Sequence, residues 1–413
     1  MGQRRVYYGW IMVAACLLIM VICAGNRFSY GVYIYPLEEE FSITREQSSW
    51  IFSLSMMLAA LFAVVGGWAI DRYGARAVFS VMGFFTGLGL LLSSWASSMG
   101  YLLISYSLLM AIGTGPIYVV VTSTVSRWFD KRRGLALGIA TSGMGIGSIS
   151  ITPLATYLIS ARDWRYSFFV LGISAFLIAI PCAQLLRRSP GAGSRLAEGQ
   201  RPPVNNASPP AGPSPGGFSI VEALKSKSLW IVLAMWVLHA ATFFMVQVHI
   251  VPHAQDIGIS EMLATSILSL IGIISIPGRL IMGWVSDNVG TKRTGMISAL
   301  LMPASILLLL VSPSLQVFYI FAVLFGFAFG GLSPPITVLV GDIFGVRNLG
   351  VIMGIIEVGW AIGAAAGPAL AGYFFVSRGS YNFAFIAGII FMLIVAALIP
   401  LLKGGKSRAS TPA

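Results

Sequence analysis

The sequence predicts an all-α membrane protein with twelve transmembrane helices in two pseudo-symmetric six-helix bundles. Three observations carry that expectation. Hydrophobic residues make up 57% of the chain and charged residues 10%, against roughly 25% charged in a soluble domain. Apolar runs of about 20 residues, the length that crosses a bilayer, recur along the whole chain. The chain also nearly repeats itself after 216 residues, with no gap needed. Gly67, Trp68, Asp71 and Gly74 return as Gly283, Trp284, Asp287 and Gly290. Gly134, Gly138, Gly143 and Gly147 return as Gly350, Gly354, Gly359 and Gly363, Pro36 as Pro252, and Gly115 as Gly331. What persists is what backbone geometry needs, close helix approach and tight turns. Tandem membrane halves of this kind suit a carrier that rocks one half against the other.

Taken in order, the spans of the first half are expected at 8–35, 48–70, 77–96, 101–126, 134–160 and 166–186. Span 1 follows Arg4 and Arg5 as a signal peptide would. It is too long for one and has a counterpart in the second half, so it is expected to be retained. Span 2 ends at the Asp71 turn, and span 5 opens after the basic run Lys131–Arg133. The Gly143, Gly145, Gly147, Ser148 stretch of span 5 is read as small residues for helix packing, since no strand precedes it and no Lys-Ser follows it. The spans of the second half are expected at 228–250, 262–286, 294–312, 315–342, 349–374 and 381–402. The halves are therefore 1–186 and 228–413, joined by 187–227, a Pro-, Gly- and Ser-rich stretch expected to be a disordered cytoplasmic linker. Cys16, Cys23 and Cys182 all lie in apolar runs, so the sequence shows no disulfide framework or metal site.

Orientation follows from the basic residues. With the N-terminus cytoplasmic, tails and inner loops hold 20 of the 26 Lys and Arg. Arg45, Arg162, Arg165 and Arg378 fall in outer loops, and Arg27 and Arg279 lie within the membrane. Both termini are expected to be cytoplasmic. The net charge of +12 is thereby explained without a nucleic-acid partner. A multi-pass protein of a cytoplasmic (inner) membrane is expected, monomeric as a functional unit.

The loop after span 2 reads Gly67, Trp68, Asp71, Arg72, Gly74, Arg76, and Gly283 to Arg293 repeats it. It resembles the signature loop of the major facilitator superfamily. Asp71 ends a helix where its carboxylate can reach a neighbouring helix N-terminus and flanking arginines. In that superfamily such clusters latch the cytoplasmic side, so Asp71, Arg72, Arg76, Asp287, Lys292 and Arg293 are expected to gate. The start of span 5, Trp128-Phe129-Asp130-Lys131-Arg132-Arg133-Gly134-Leu135-Ala136 through Gly143, resembles the signature of the monocarboxylate transporter family. The beginning, Tyr8-Gly9-Trp10, matches only the Gly-Trp core of that family's first signature. The related oxalate–formate exchangers share much of the span 5 pattern.

Ionisable side chains inside a bilayer are costly and normally face a cavity. Arg279 stands eight residues before Asp287, about 12 Å from the inner edge. A guanidinium grips a carboxylate with two prongs and keeps its charge. The family resemblance implies that Arg279 binds the substrate carboxylate. Glu357 lies about 11 Å from the same edge and Tyr118 near that depth, so Arg279 and Glu357 are expected to share a layer, as a pair with which substrate competes. The family has an aspartate one turn before the arginine, linked to its proton coupling; here that position is Ser275. Either Glu357 or a histidine then takes over the proton's site, or coupling works through the substrate itself. His249, near the outer end of span 7, is a candidate for both substrate and proton, with His239 and His253 behind it. Arg27 is a candidate outer anion attractor, and Phe28 occupies the place that the family resemblance gives to a lysine of animal members; Phe28, Tyr118 and Ser275 are further candidates for substrate binding.

The reading that results is a carrier of a small monocarboxylate, L-lactate or similar, working by alternating access with a proton and no other cofactor. An anion exchanger of the oxalate–formate type is the alternative. Those exchangers pair the span 8 arginine with a lysine in span 11, where this chain has the acidic Glu357. An enzyme is not expected, since no nucleophile–base set or metal cluster is present.

Overall fold

The computed structural model describes residues 7–187, 217–311 and 314–402, apart from the side chains at 45, 46 and 49. Among those residues the regular structure is helical throughout, as a bilayer requires, because each helix satisfies its own backbone polar groups. Twelve helices are long and apolar enough to cross a membrane. Spans 1 to 6 are Tyr8–Phe41, Trp50–Tyr73, Ala75–Ser94, Met99–Ser126, Arg133–Ala161 and Trp164–Gln184. Spans 7 to 12 are Lys227–Asp256, Glu261–Val289, Thr291–Val311, Leu315–Phe344, Leu349–Arg378 and Asn382–Leu401.

Local chemistry sets the ends. Before span 2, the Gln47 amide donates to Thr44 Oγ1 (3.2 Å) and the Thr44 amide to Gln47 Oε1 (2.9 Å), a reciprocal cap. Spans 2 and 8 stop at Gly74 (φ 85°) and Gly290 (φ 101°), a conformation that side-chain-bearing residues avoid. Two spans are irregular. Span 1 passes through a 3₁₀ stretch, Ser29–Tyr33. Span 4 has a π-helical turn at Leu103–Leu108 and breaks after Thr114, where Pro116 has no N–H to donate back. A Cβ on Gly115 would come within 2.7 Å of the Ala59 carbonyl oxygen, so spans 2 and 4 cross closely at that break.

Within the first half, span 1 packs on span 5 and span 3 on span 6. Within the second, span 7 packs on span 11, span 8 on span 10, and span 12 on span 9. The halves meet through span 2 against span 11 and span 5 against span 8.

The expected linker 187–227 lies largely outside the described residues, and its last part corrects the sequence reading. Ile220–Lys225 is a short helix capped by Ser219 and Glu222 in the same reciprocal manner. The Phe218 amide donates to the Phe344 carbonyl (2.9 Å), and Asn348 Nδ2 donates to the Phe218 carbonyl (2.8 Å). This end of the linker is therefore docked on the turn between spans 10 and 11.

Candidate functional site

The closest contacts between the halves lie at the lower face, where span 1 starts and span 12 ends. Gly67 of span 2 meets Gly350 of span 11, and Gly134 of span 5 meets Gly283 of span 8, backbone on backbone. A Cβ on either member of the second pair would overlap the other's carbonyl oxygen. Higher up, Gly138 backs onto the Arg279 carbonyl, and Gly354 onto Ala63 and Val64.

Each repeated aspartate closes this face by reaching across it. Asp71 accepts from the Gly350 and Val351 amides at the start of span 11 (3.1 and 3.0 Å). Asp287 accepts from the Gly134 and Leu135 amides at the start of span 5 (2.7 and 2.9 Å). A carboxylate there satisfies unpaired N–H groups and meets the positive end of the helix dipole. Arg127, which follows the last helical turn of span 4, joins the basic residues that the sequence singled out. Asp71 pairs with Arg127, while Arg72 lies over Trp68 and Tyr73, 5.5 and 5.7 Å from the ring centres. Arg76, Lys292 and Arg293 make no ion pair among the described residues. Arg133 joins Asp342 (2.9 Å) and Asp130 (3.2 Å), tying the start of span 5 to span 10.

Mid-depth, Arg279 is 4% exposed. One guanidinium nitrogen donates to Ser275 Oγ (2.8 Å) and to the Ser275 carbonyl (3.3 Å). The guanidinium carbon lies 5.4 Å from the Phe329 ring centre. The rest of the group has no hydrogen bond among the described residues, and no carboxylate pairs with it. Tyr118 OH and Thr337 Oγ1 (3.1 Å) join span 4 to span 10 across the halves. Tyr118 interacts electrostatically with Arg279 and with Glu357.

The expected Arg279–Glu357 ion pair is not formed. Glu357 interacts instead with Arg27 and the Trp236 indole, and its Oε2 is buried without a hydrogen-bond partner. Depth counted along a helix places two residues in one layer but does not say which faces which. Arg27 directs Nη2 and Nε at the Met56 sulfur (2.7 and 3.1 Å) and lies 5.9 Å from the Phe28 ring centre. His249 stands apart from this cluster, with Nε2 against the Pro368 carbonyl (3.1 Å) and its ring 5.1 Å from Tyr381.

A residue ranked low in the sequence reading shares the Phe329 ring with Arg279. His239 is fully buried, with neither ring nitrogen hydrogen-bonded. It stands among Trp236, Phe329 and Trp360, with ring centres 6.0, 5.6 and 5.6 Å away, and it interacts electrostatically with Arg279. One signal was legible beforehand, since His239 and Trp236 sit three residues apart and so share one helix face.

Comparison with known proteins places this geometry. The sequence profile of the Major Facilitator Superfamily matches residues 16–284 and 238–412. Monocarboxylate transporter 12 of Mus musculus is 27% identical, over 98% of this chain and 88% of its own length. Monocarboxylate transporter 13 of Rattus norvegicus is 26% identical, over 94% and 87%. Among solved structures, the E. coli fucose:proton symporter superposes with a TM-score of 0.73 at 14% identity, covering 97% of this chain and all of that one (100%). A proton:xylose symporter superposes at 0.68, also at 14% identity, covering 94% of each chain.

Proposed function

This chain belongs to the Major Facilitator Superfamily, and on that footing we propose that it carries a small monocarboxylate, L-lactate or a similar anion, by alternating access with a proton. Membership makes it a membrane transporter and not an enzyme. The observation that carries the finer reading is Arg279, a cation buried at mid-depth with no acidic partner among the described residues. An unpaired charge in that setting costs several kcal/mol, which a carboxylate in bidentate contact offsets. Relatives named monocarboxylate transporters support the same cargo. Saturable uptake of labelled L-lactate into proteoliposomes tests it. Competition by other monocarboxylates, and none by neutral lactamide, is expected; equal competition by lactamide removes the carboxylate reading.

In the cycle, Asp71 and Asp287 latch the lower face, which the excess of Lys and Arg assigns to the cytoplasm. A capping carboxylate contributes about 1 to 2 kcal/mol. The two together lie below the roughly 4 to 8 kcal/mol of millimolar to micromolar substrate binding, so a substrate that spends that much of its affinity on the opened form alone can open the latch.

Glu357 is the proton's carrier in this reading, because Ser275 replaces the usual acid and Glu357 keeps one oxygen unpartnered. Glu357→Gln is expected to retain lactate movement down its own gradient and to lose its stimulation by an inward proton gradient. Uptake stimulated as strongly in the variant as in the wild type would remove Glu357 from that role.

A further inference from the structure

A substrate gripped only by its carboxylate would be chosen by charge and size alone. The ring of Phe329 links Arg279 to a second polar group that has no hydrogen-bond partner among the described residues. The Arg279 guanidinium carbon lies 5.4 Å from the centre of that ring, and the His239 imidazole stacks against it at 5.6 Å and 24°. We propose that His239 is a specificity-determining contact of the transported anion, hydrogen-bonding the oxygen next to the carboxylate in 2-hydroxy and 2-oxo acids.

The burial of His239 is shared by the whole site and does not set it apart. In this closed arrangement Arg279 is 4% exposed, Ser275 3%, Tyr118 8% and Phe329 7%. Arg279 and His239 both lie against the Phe329 ring, so a carboxylate that displaces this ring to reach Arg279 also removes one of the rings covering His239. A neutral imidazole carries one N–H donor and one nitrogen acceptor. Both are orphaned here, at the cost of a buried polar group left unmade. A 2-hydroxyl group can satisfy either nitrogen, whereas a 2-oxo oxygen accepts from the N–H. The Trp236 and Trp360 rings pack around the imidazole, and their indole N–H groups, which only donate, cannot accept from the imidazole's own N–H.

This inference rests on Arg279 as the carboxylate's anchor, and one competition experiment separates the two. Labelled L-lactate uptake is inhibited with unlabelled lactate, pyruvate and propionate, propionate being lactate without its hydroxyl. The wild type is expected to favour lactate over propionate by roughly tenfold, the worth of one good hydrogen bond. In His239→Phe the preference is expected to fall to about one, through weaker lactate binding and unchanged propionate binding. His239→Gln, which retains a donor and an acceptor, is expected to keep part of it. Equal inhibition by lactate and propionate in the wild type overturns the proposal without any variant. So does an unchanged preference in His239→Phe or, should that variant not fold, loss of all preference in a folded His239→Gln. Failure of every carboxylate to compete would instead overturn the Arg279 reading, and this one with it.

Discussion

Arg279→Ala is expected to abolish transport while leaving the fold intact. Removing one partner of a bidentate, water-excluded ion pair costs about 3 to 5 kcal/mol, which is roughly a hundred- to several-thousand-fold in substrate affinity. Stability is expected to change little. Among the described residues the side chain gives up one hydrogen-bonding partner, Ser275, and its contact with Phe329, and the unpaired charge goes with it. Arg279→Lys is the sharper variant. It keeps the positive charge but replaces a planar fork with a point charge that cannot bond both carboxylate oxygens in plane. It is therefore also expected to lose nearly all uptake. Both variants should be purified and their thermal unfolding compared with the wild type before uptake is read. Wild-type uptake by either folded variant would mean that the carboxylate is held elsewhere, with Arg27 the next cation to test.

Gly283→Val is expected to have an effect of similar size for a different reason. Gly134 and Gly283 touch through their backbones, so an added Cβ meets a carbonyl oxygen and not the end of a flexible side chain. Spans 5 and 8 would have to part by about 1 Å or more to restore ordinary contact, and packed helices resist such a shift. The Asp287 bonds to the Gly134 and Leu135 amides cross the same gap and would lengthen with it. The variant is expected to remain open at the lower face and to lose net transport while still binding substrate. A cysteine at Ser333, buried in span 10 beside Tyr118, would report this in a chain whose three native cysteines are replaced by serine. Labelling of that cysteine by a membrane-impermeant thiol reagent from the lower face should rise several-fold in Gly283→Val. Full transport with unchanged labelling would mean that this face need not close as tightly as it does here.

The parts of this molecule that were legible in its sequence are those a bilayer dictates. Span lengths follow from its thickness, and every expected span has a helix within a few residues of it. The repeated glycines were legible because close helix contact has no substitute for a missing side chain, and Gly134 on Gly283 is such a contact. Asp71 and Asp287 could be placed at helix N-termini because each ends its own span at a glycine turn. Contacts between distant segments were not legible. Asp71 takes Arg127, 56 residues away, because Arg127 ends span 4 on the same face. Glu357 answers to Arg27 and Trp236 and not to Arg279, since residue counting fixes depth but not azimuth. His239 was obscured by its aromatic neighbours, which read as core packing until the structure showed both of its nitrogens unpartnered. The helix after the linker was masked by composition. Ser219 and Glu222 spell a capping box, but the Pro- and Ser-rich stretch before them drew the boundary too late.

The central claim, a monocarboxylate moved together with a proton, is tested most directly by uphill transport. Purified protein in liposomes is given labelled L-lactate at equal concentration on both sides and an inward proton gradient. Accumulation of lactate above the outside concentration, collapsing when a protonophore is added and absent from Arg279→Ala vesicles, is the result this account predicts. No accumulation under the gradient, with label entering initially empty vesicles only once unlabelled lactate, oxalate or formate is loaded inside, would contradict it and identify an anion exchanger.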